Sequence, residues 1–121
     1  TDEGIIAVQS GSAMITELLN LSAVQRTLRE VFRHVAAYKV DMPCFGGPWG
    51  FSVASQQLEP AKLTPEEIDR RIAARGLAHL RSYDGITHLG MFSLPKYIRG
   101  ALAAQPRLIT DGSPLFSYHP G

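Results

Sequence analysis

The stretch Pro43–Phe51, with the sequence PCFGGPWGF, constrains the fold of this chain more than any other segment. It contains the only tryptophan and the only cysteine of the 121-residue chain, together with two prolines and three glycines. Proline fixes φ and lacks an N–H donor, whereas glycine adopts backbone angles that other residues resist. Two strand-like segments, Ala36–Met42 and Trp49–Ser55, adjoin or overlap the stretch. We therefore predict a β-hairpin with a shaped loop at its tip, and not a helix.

Another strand is predicted near the start of the chain. The run Gly4–Gln9 (GIIAVQ) is apolar without alternation and is followed by Ser10-Gly11-Ser12. Such a run is typical of a strand buried on both faces, as in a parallel sheet. We expect this strand to end at Gln9 and the serines to form a turn.

The next segment predicts an amphipathic helix. Ser22 and Gln25 have the spacing of a capping box, in which each side chain bonds the other residue's backbone N–H. The apolar stripe has the 3.6-residue period and consists of Val24, Leu28, Val31, Phe32 and Val35. We place the polar residues of this segment, Gln25 among them, on the solvent face.

A second helix has clear signals at both ends. Thr64-Pro65-Glu66-Glu67 supplies an N-cap, a proline at the first helical position and a capping-box glutamate, and Gly76 supplies the stop. We expect its buried face to contain Ile68, Ile72 and Ala73. The rest of the chain predicts a short strand over residues 77–83, an irregular segment over 84–92, a helix beginning near Pro95 and a loop-like tail over 106–121.

Composition limits the classes of function. Hydrophobic residues make up 45% of the chain and charged residues 19%, so residues 1–121 are predicted to be part of a single globular domain. A formal charge of +1 provides no long-range attraction for nucleic acid or an anionic membrane, so we expect a small molecule or a protein as partner. One cysteine allows no internal disulfide, and no apolar run reaches the ~18 residues of a membrane span. We expect a cytoplasmic location.

Few residues carry a recognisable chemical motif. The four histidines (His34, His79, His88 and His119) lack metal-ligand spacing, so we assign no metal site. Cys44 has no sequence partner that would make it a nucleophile, Gly46-Gly47 lacks the lysine of a phosphate loop, and the serines at 10–12 lack the GxSxG elbow. Thr1 could serve as an N-terminal nucleophile or could simply mark a truncation point.

Gln9 and the nonapeptide remain as candidates. In doubly wound sheets ligands lie beyond the carboxyl ends of strands, so Gln9 would either bind a ligand or tie down the following loop. Phe45 and Trp49 would either belong to the core or line a site in which the neighbouring glycines let the backbone approach an apolar ligand. Sequence reasoning leaves both alternatives open.

Four blocks of the sequence resemble one known family. GIIAVQSGSA, LREVFRHV, PCFGGPWGFSVAS and LRSYDGITHLGMFSLPKYIRGAL are similar, in order and spacing, to the carboxyl-terminal part of the polyamine aminopropyltransferases, the spermidine synthase family. The resemblance implies a Rossmann-like, methyltransferase-type α/β sheet with flanking helices. Residues 4–9 would be a parallel strand in it, and Ala36–Met42 and Trp49–Ser55 the antiparallel pair at its end.

The resemblance also implies a function. The family moves an aminopropyl group from decarboxylated S-adenosylmethionine, its co-substrate, to an amine such as putrescine. Gln9 would line the active site, and the loop containing Cys44, Phe45 and Trp49 would pack over the polyamine, which needs apolar and aromatic walls for its methylene chain. Many members carry tyrosine at the position of Cys44, which leaves the acceptor amine open. We assign no catalytic residue and expect no bound cofactor.

Other motifs of the family have no counterpart in the chain. The glycine-rich nucleotide loop, the ribose-binding acid and the Asp-containing catalytic loop precede the matched region in the family. We therefore expect a carboxyl-terminal segment of the catalytic domain that is inactive alone and associates with a copy of itself or with a chain supplying the amino-terminal half. The alternatives are a non-catalytic polyamine-binding or interaction module and, from Thr1 alone, an N-terminal-threonine hydrolase.

Overall fold

The computed structural model describes residues 1–116, which form a mixed α/β arrangement. Its strands and helices are β1 Ile5–Ser12, α1 Leu19–Leu28, β2 His34–Met42, β3 Gly47–Ser55, α2 Pro65–Ala74, α3 Gly85–Phe92 and α4 Lys96–Ala104. Residues 106–116 of the predicted tail contain no helix or strand beyond an isolated bridge between Thr110 and Ser113. Residues 117–121, with His119, lie outside the described residues. None of the described helices is long and apolar enough to cross a membrane.

The predicted hairpin is confirmed. β2 and β3 pair antiparallel from His34 opposite Ser55 to Met42 opposite Gly47. A single 3-10 turn, Pro43–Phe45, leads into Gly46, whose φ of 89° lies in the left-handed region that favours glycine. The sheet order is β1-β3-β2, so β3 lies in the centre.

β1 pairs antiparallel with β3 of the terminal pair, and the parallel neighbour that the resemblance implies for it does not lie among residues 1–116. The burial of β1 differs from that of the predicted strand. Ile5 and Ile6 are 51% and 40% exposed, and burial increases only toward Ser10, the half of the strand where Gly11 lies close to Asn20 of α1. The strand also continues to Ser12 through a bulge between Gln9 and Gly11 and does not end at Gln9.

One face of the sheet packs against α1 and α4. The buried cluster there consists of Ala13, Leu21, Ala37, Ile98 and Leu102. Each fully buried leucine or isoleucine contributes ~1.5–3 kcal/mol through removal of apolar surface from water. The cluster holds the two helices against the sheet.

The predicted details of α1 are wrong in three respects. The helix begins at Leu19, so Ser22 lies inside it and donates its hydroxyl to the carbonyl of Leu18 (2.7 Å) instead of forming a capping box. Gln25 is fully buried, not solvent-facing, and its Nε2 donates to the carbonyl of Ala36 (3.0 Å). The helix ends at Leu28, because the residues from His34 onward pair with β3 and that pairing overrides the helical period of the sequence.

The signals of α2 are confirmed at its start. Thr64 accepts a hydrogen bond from the backbone N–H of Glu67 (3.2 Å), and Pro65 occupies the first helical position. Ile68 is buried as predicted, whereas Ala73 is exposed. The helix ends next to Gly76, whose φ is 67°.

The strand predicted over 77–83 is absent, and the segment predicted to be irregular is helix α3. Asp84 caps this helix by accepting from the backbone N–H of Thr87 (2.8 Å). The buried His88 fixes its position, because Nε2 donates to the carbonyl of Pro60 (2.7 Å) and Nδ1 accepts from the Tyr83 hydroxyl (2.8 Å). Tyr83 is a local partner, whereas Pro60 lies 28 residues away in the sequence, so that contact depends on tertiary packing. The last predicted helix is confirmed as α4, which begins after Pro95.

Candidate functional site

A cavity of about 490 Å³ lies beside the carboxyl-terminal half of β1. Its walls come from β1, from the loop before α1 and the first turns of α1, from the start of β3 and from the segment after α4. The lining includes Gln9, Ser12, Glu17, Asn20, Trp49 and Phe116. The cavity lies near the carboxyl end of the first strand.

Gln9 is positioned by the sheet register. It pairs with Phe51 of β3, which in turn pairs with Tyr38 of β2, so the three side chains lie in one row on one face. The rings of Tyr38 and Phe51 stack with centroids 5.2 Å apart and planes 11° apart. Burial raises the pKa of the Tyr38 hydroxyl, which stays neutral at physiological pH. Gln9 is exposed and lies at one end of this row, next to the stacked rings of Phe51 and Tyr38.

Trp49 lines the same cavity as Gln9, and Phe45 packs against Trp49. The two ring centroids are 4.9 Å apart, with planes inclined by 51°. The Trp49 indole Nε1 is buried and has no hydrogen-bond partner among residues 1–116. Phe45 is 42% exposed, so the pair forms part of the surface and not of the core. An aromatic face in this position can contact a methylene chain or a cation.

Cys44 lies apart from this group. It is an exposed free thiol within the Pro43–Phe45 turn, and it is not among the residues that line the cavity. Gln9 and Trp49 therefore line one cavity, and Phe45 packs against Trp49. Cys44 lies outside the cavity, in the turn at the tip of the hairpin.

Three polar residues in the cavity were not identified from the sequence. Ser12, Glu17 and Asn20 lie on the cavity wall, and Glu17 supplies a carboxylate there. Their positions just after or near the carboxyl end of β1 were a usable signal. Sequence reasoning missed it because it placed the end of the strand at Gln9.

Among residues 1–116, the other candidate residues do not form a second site. His88 is held by two structural hydrogen bonds, and the Nδ1 atom of His34 lies 3.4 Å from a carboxylate oxygen of Glu59. Within residues 1–116 no three His, Cys, Asp or Glu side chains come together as metal ligands would. Ser10, which is buried, shares a hydrogen bond with Ser52 (2.8 Å), and the carbonyl of Thr1 accepts from the backbone N–H of Gly4 (3.0 Å).

Comparison with solved structures establishes the fold. The chain superposes on the crystal structure of spermidine synthase from Thermotoga maritima with a TM-score of 0.69 at 20% identity, covering 86% of this chain and 36% of that one. A second match is spermidine synthase in complex with the transition state analogue AdoDATO, with a TM-score of 0.67 at 21% identity, covering 84% and 33%. These matches confirm the methyltransferase-like fold class.

Curated relatives identify the family. The polyamine aminopropyltransferase of Sulfurisphaera tokodaii is 41% identical over 98 residues, and polyamine aminopropyltransferase 2 of Hyperthermus butylicus is 36% identical over 113 residues. The alignments cover 81% and 93% of this chain but only 33% and 37% of those proteins. No protein-family model matches the chain. The resemblance to the polyamine aminopropyltransferases is nevertheless confirmed over most of this chain, which spans about a third of the length of these relatives.

Proposed function

We propose that the chain forms the amine-binding part of an aminopropyltransferase. The reaction would move an aminopropyl group from decarboxylated S-adenosylmethionine to putrescine or a related polyamine. The observation that carries the proposal is the shared cavity of Gln9 and Trp49, in a chain whose relatives are polyamine aminopropyltransferases. No resident cofactor is needed, because decarboxylated S-adenosylmethionine enters as a co-substrate.

Each cavity residue has a role in this proposal. Trp49, supported by Phe45, covers the methylene chain and attracts an ammonium group to its ring face. Glu17 holds the ammonium at the distal end, and the Gln9 amide orients the nitrogen that reacts. Cys44 lies at the hairpin rim and borders the amine from outside the cavity.

The chemistry is an in-line displacement at carbon. The acceptor nitrogen must lose a proton first, since an ammonium group has no lone pair. Its lone pair forms the new C–N bond as the C–S bond of the donor breaks, and methylthioadenosine leaves with the bonding electrons. The residues of this chain contribute alignment, which is worth a large share of the rate of such reactions.

The 121-residue chain is proposed to have no transferase activity alone. Its sequence contains no glycine-rich nucleotide loop of the kind the family uses. We propose that it associates with a second copy or with a chain that supplies the amino-terminal half, because β1 pairs along one edge only within residues 1–116. Turnover of putrescine and decarboxylated S-adenosylmethionine by the isolated chain would contradict this. We also propose that residues 1–121 are part of a single domain with a tail over 106–121, and that the protein is cytoplasmic.

A non-catalytic polyamine-binding module is the second candidate. It is favoured by a cavity that combines an aromatic wall and a carboxylate. Co-expression with a chain that carries the amino-terminal motifs separates the two proposals. If the pair of chains gains transferase activity, the chain is part of an aminopropyltransferase. If the pair binds polyamine without any transferase activity, the chain is a non-catalytic binding module.

Amine binding can be tested by titration calorimetry with putrescine and spermidine. We expect Gln9→Ala and Trp49→Leu each to weaken binding about tenfold, because each removes one contact of ~1–2 kcal/mol. Gln57→Ala, at an exposed glutamine after β3, is the matched control and should bind as the unmodified chain does. Equal effects of Gln9→Ala and Gln57→Ala, or no binding by the unmodified chain, would reject the proposal.

A further inference from the structure

The segment that follows α4 is attached to α1. The Nε2 of Gln105 donates to the Ser22 hydroxyl (2.9 Å), and the backbone N–H of Ile109 donates to the Thr27 hydroxyl (2.9 Å). Both acceptors lie within α1, so the tail follows that helix over at least five residues. Side-chain hydrogen bonds of this kind give the segment a defined path despite its lack of regular structure.

A tight turn then directs the chain toward the cavity. Thr110 and Ser113 exchange backbone hydrogen bonds of 3.3 and 3.0 Å, and the Arg107 guanidinium donates to the carbonyl of Pro114 (3.0 Å). The residues after this turn, Leu115 and Phe116, line the cavity that contains Gln9 and Trp49.

The cavity therefore has two unlike walls. The wall from β1 and α1 carries polar groups, among them Gln9, Glu17 and Asn20. The wall from the tail is apolar and consists of Ile109, Leu115 and Phe116. Phe116 is 67% exposed, so most of its apolar surface is free to be covered by an occupant of the cavity.

We propose that the tail wall, defined as Ile109, Leu115 and Phe116, determines the length of the amine that the cavity accepts. The inference rests on the proposed function and adds a specificity element to it. The polar wall binds nitrogen atoms regardless of what joins them, whereas the apolar wall gains contact with every methylene that reaches it. One buried methylene changes a dissociation constant about fourfold, so the wall can discriminate between diamines that differ by a single carbon.

The first test needs no amine. Trp49 is the only tryptophan, so the intrinsic tryptophan fluorescence reports on the cavity. We expect Phe116→Ala and Leu115→Ala to increase quenching by acrylamide, because they uncover the cavity next to the indole. Leu108→Ala makes the same change at a tail leucine outside the cavity lining and should leave quenching unchanged. Phe116 is largely exposed, so its truncation leaves the fold intact; circular dichroism checks this. If quenching is unchanged in both Phe116→Ala and Leu115→Ala, the tail does not cover the cavity and the inference is wrong.

The second test measures length selectivity by calorimetry with α,ω-diamines of three to six methylenes. For the unmodified chain, the dissociation constant should fall about fourfold with each added methylene up to the preferred length. In Phe116→Ala the change per methylene should be less than twofold. Gln9→Ala should weaken all the diamines alike and keep the dependence. If Phe116→Ala keeps the full dependence, the inference fails and the proposed function stands. If the unmodified chain binds no diamine, the proposed function and the inference both fail.

Discussion

At the scale of single residues, Gly85 is the most tightly packed of the glycines in the described part of the chain. A Cβ atom at this position would lie 2.1 Å from the carbonyl oxygen of Pro65 and 2.5 Å from two further backbone atoms of that residue. The backbone N–H of Gly85 also donates to Asp69 (2.7 Å). The first residue of α3 therefore rests directly on the backbone of α2, and only glycine allows this approach.

Gly85→Ala should lower the free energy of unfolding by about 3 kcal/mol, because backbone atoms cannot move aside as a side chain could. Gly90→Ala is the matched control in the same helix. Its new Cβ would have no neighbour within 4 Å, and alanine favours the helix, so stability should rise by about 0.5–1 kcal/mol. Urea denaturation measures both variants. Similar losses in the two would contradict the packing described here.

The site residues show how far sequence reasoning reaches at this scale. Gln9 and Trp49 line one cavity, although β1 runs on to Ser12 and does not end at Gln9 as the sequence predicts. Gln25 was placed on the wrong face because its partner, the carbonyl of Ala36, is a neighbour only in the folded chain. Glu17 and Phe116 likewise meet at the cavity only through tertiary structure.

At the scale of elements, α2 was the most predictable helix. Its start is determined within four residues by Thr64, Pro65 and Glu67. The Glu67 carboxylate also accepts from the side chains of Arg70 and Arg71, at 2.7 and 2.8 Å. These hydrogen bonds lower the pKa of Glu67 from the usual 4.5 to about 2, and the bond from Arg70 has the larger effect.

This lowered pKa predicts a pH dependence. A carboxyl group with a depressed pKa stabilises the folded chain above pH 4.5 and loses that contribution as the pH falls toward 2. As the pH falls between these values, the melting temperature of the unmodified chain should decrease more than that of Glu67→Gln, which lacks the charge. The difference should be small and should shrink in high salt, because the pair lies at the surface.

Glu66→Gln is the control for this prediction. It removes a charge from the same first turn, so it matches any effect of the helix dipole, but Glu66 has no ion pair in the part of the chain that the structure describes. Thermal melts followed by circular dichroism at pH 6, 4 and 3 make the comparison. An identical pH profile for Glu67→Gln and the unmodified chain would show that the arginine pairs contribute nothing.

At the scale of the whole molecule, β1 has a strand partner along one edge only within residues 1–116. The strand pairs with β3 on one side, and Ile5 and Ile6 are substantially exposed at its start. Exposed apolar strand edges pair with other chains unless a charge blocks them. The proposed association should therefore occur at β1.

Ile6→Lys should raise the dissociation constant for self-association at least tenfold, because a charge in a buried strand pair carries a large desolvation cost. Ile15→Lys introduces the same charge at a 68% exposed isoleucine outside the sheet and should have no effect. Sedimentation equilibrium measures both against the monomer mass of 13.2 kDa. A monomeric unmodified chain at all concentrations, or equal effects of the two variants, would reject β1 as the contact.

The hairpin, the capped start of α2 and the start of α4 are predictable from the sequence, because they depend on residues a few positions apart whose backbone preferences act in any context. The family is recognisable from four sequence blocks spread over most of the chain. Only the folded structure shows that β1 pairs antiparallel with β3, that residues 85–92 are helical and that the tail lines the same cavity as Gln9. Those outcomes depend on contacts between residues distant in sequence, such as His88 with Pro60 and Ile109 with Thr27, and such contacts form only when the chain has folded.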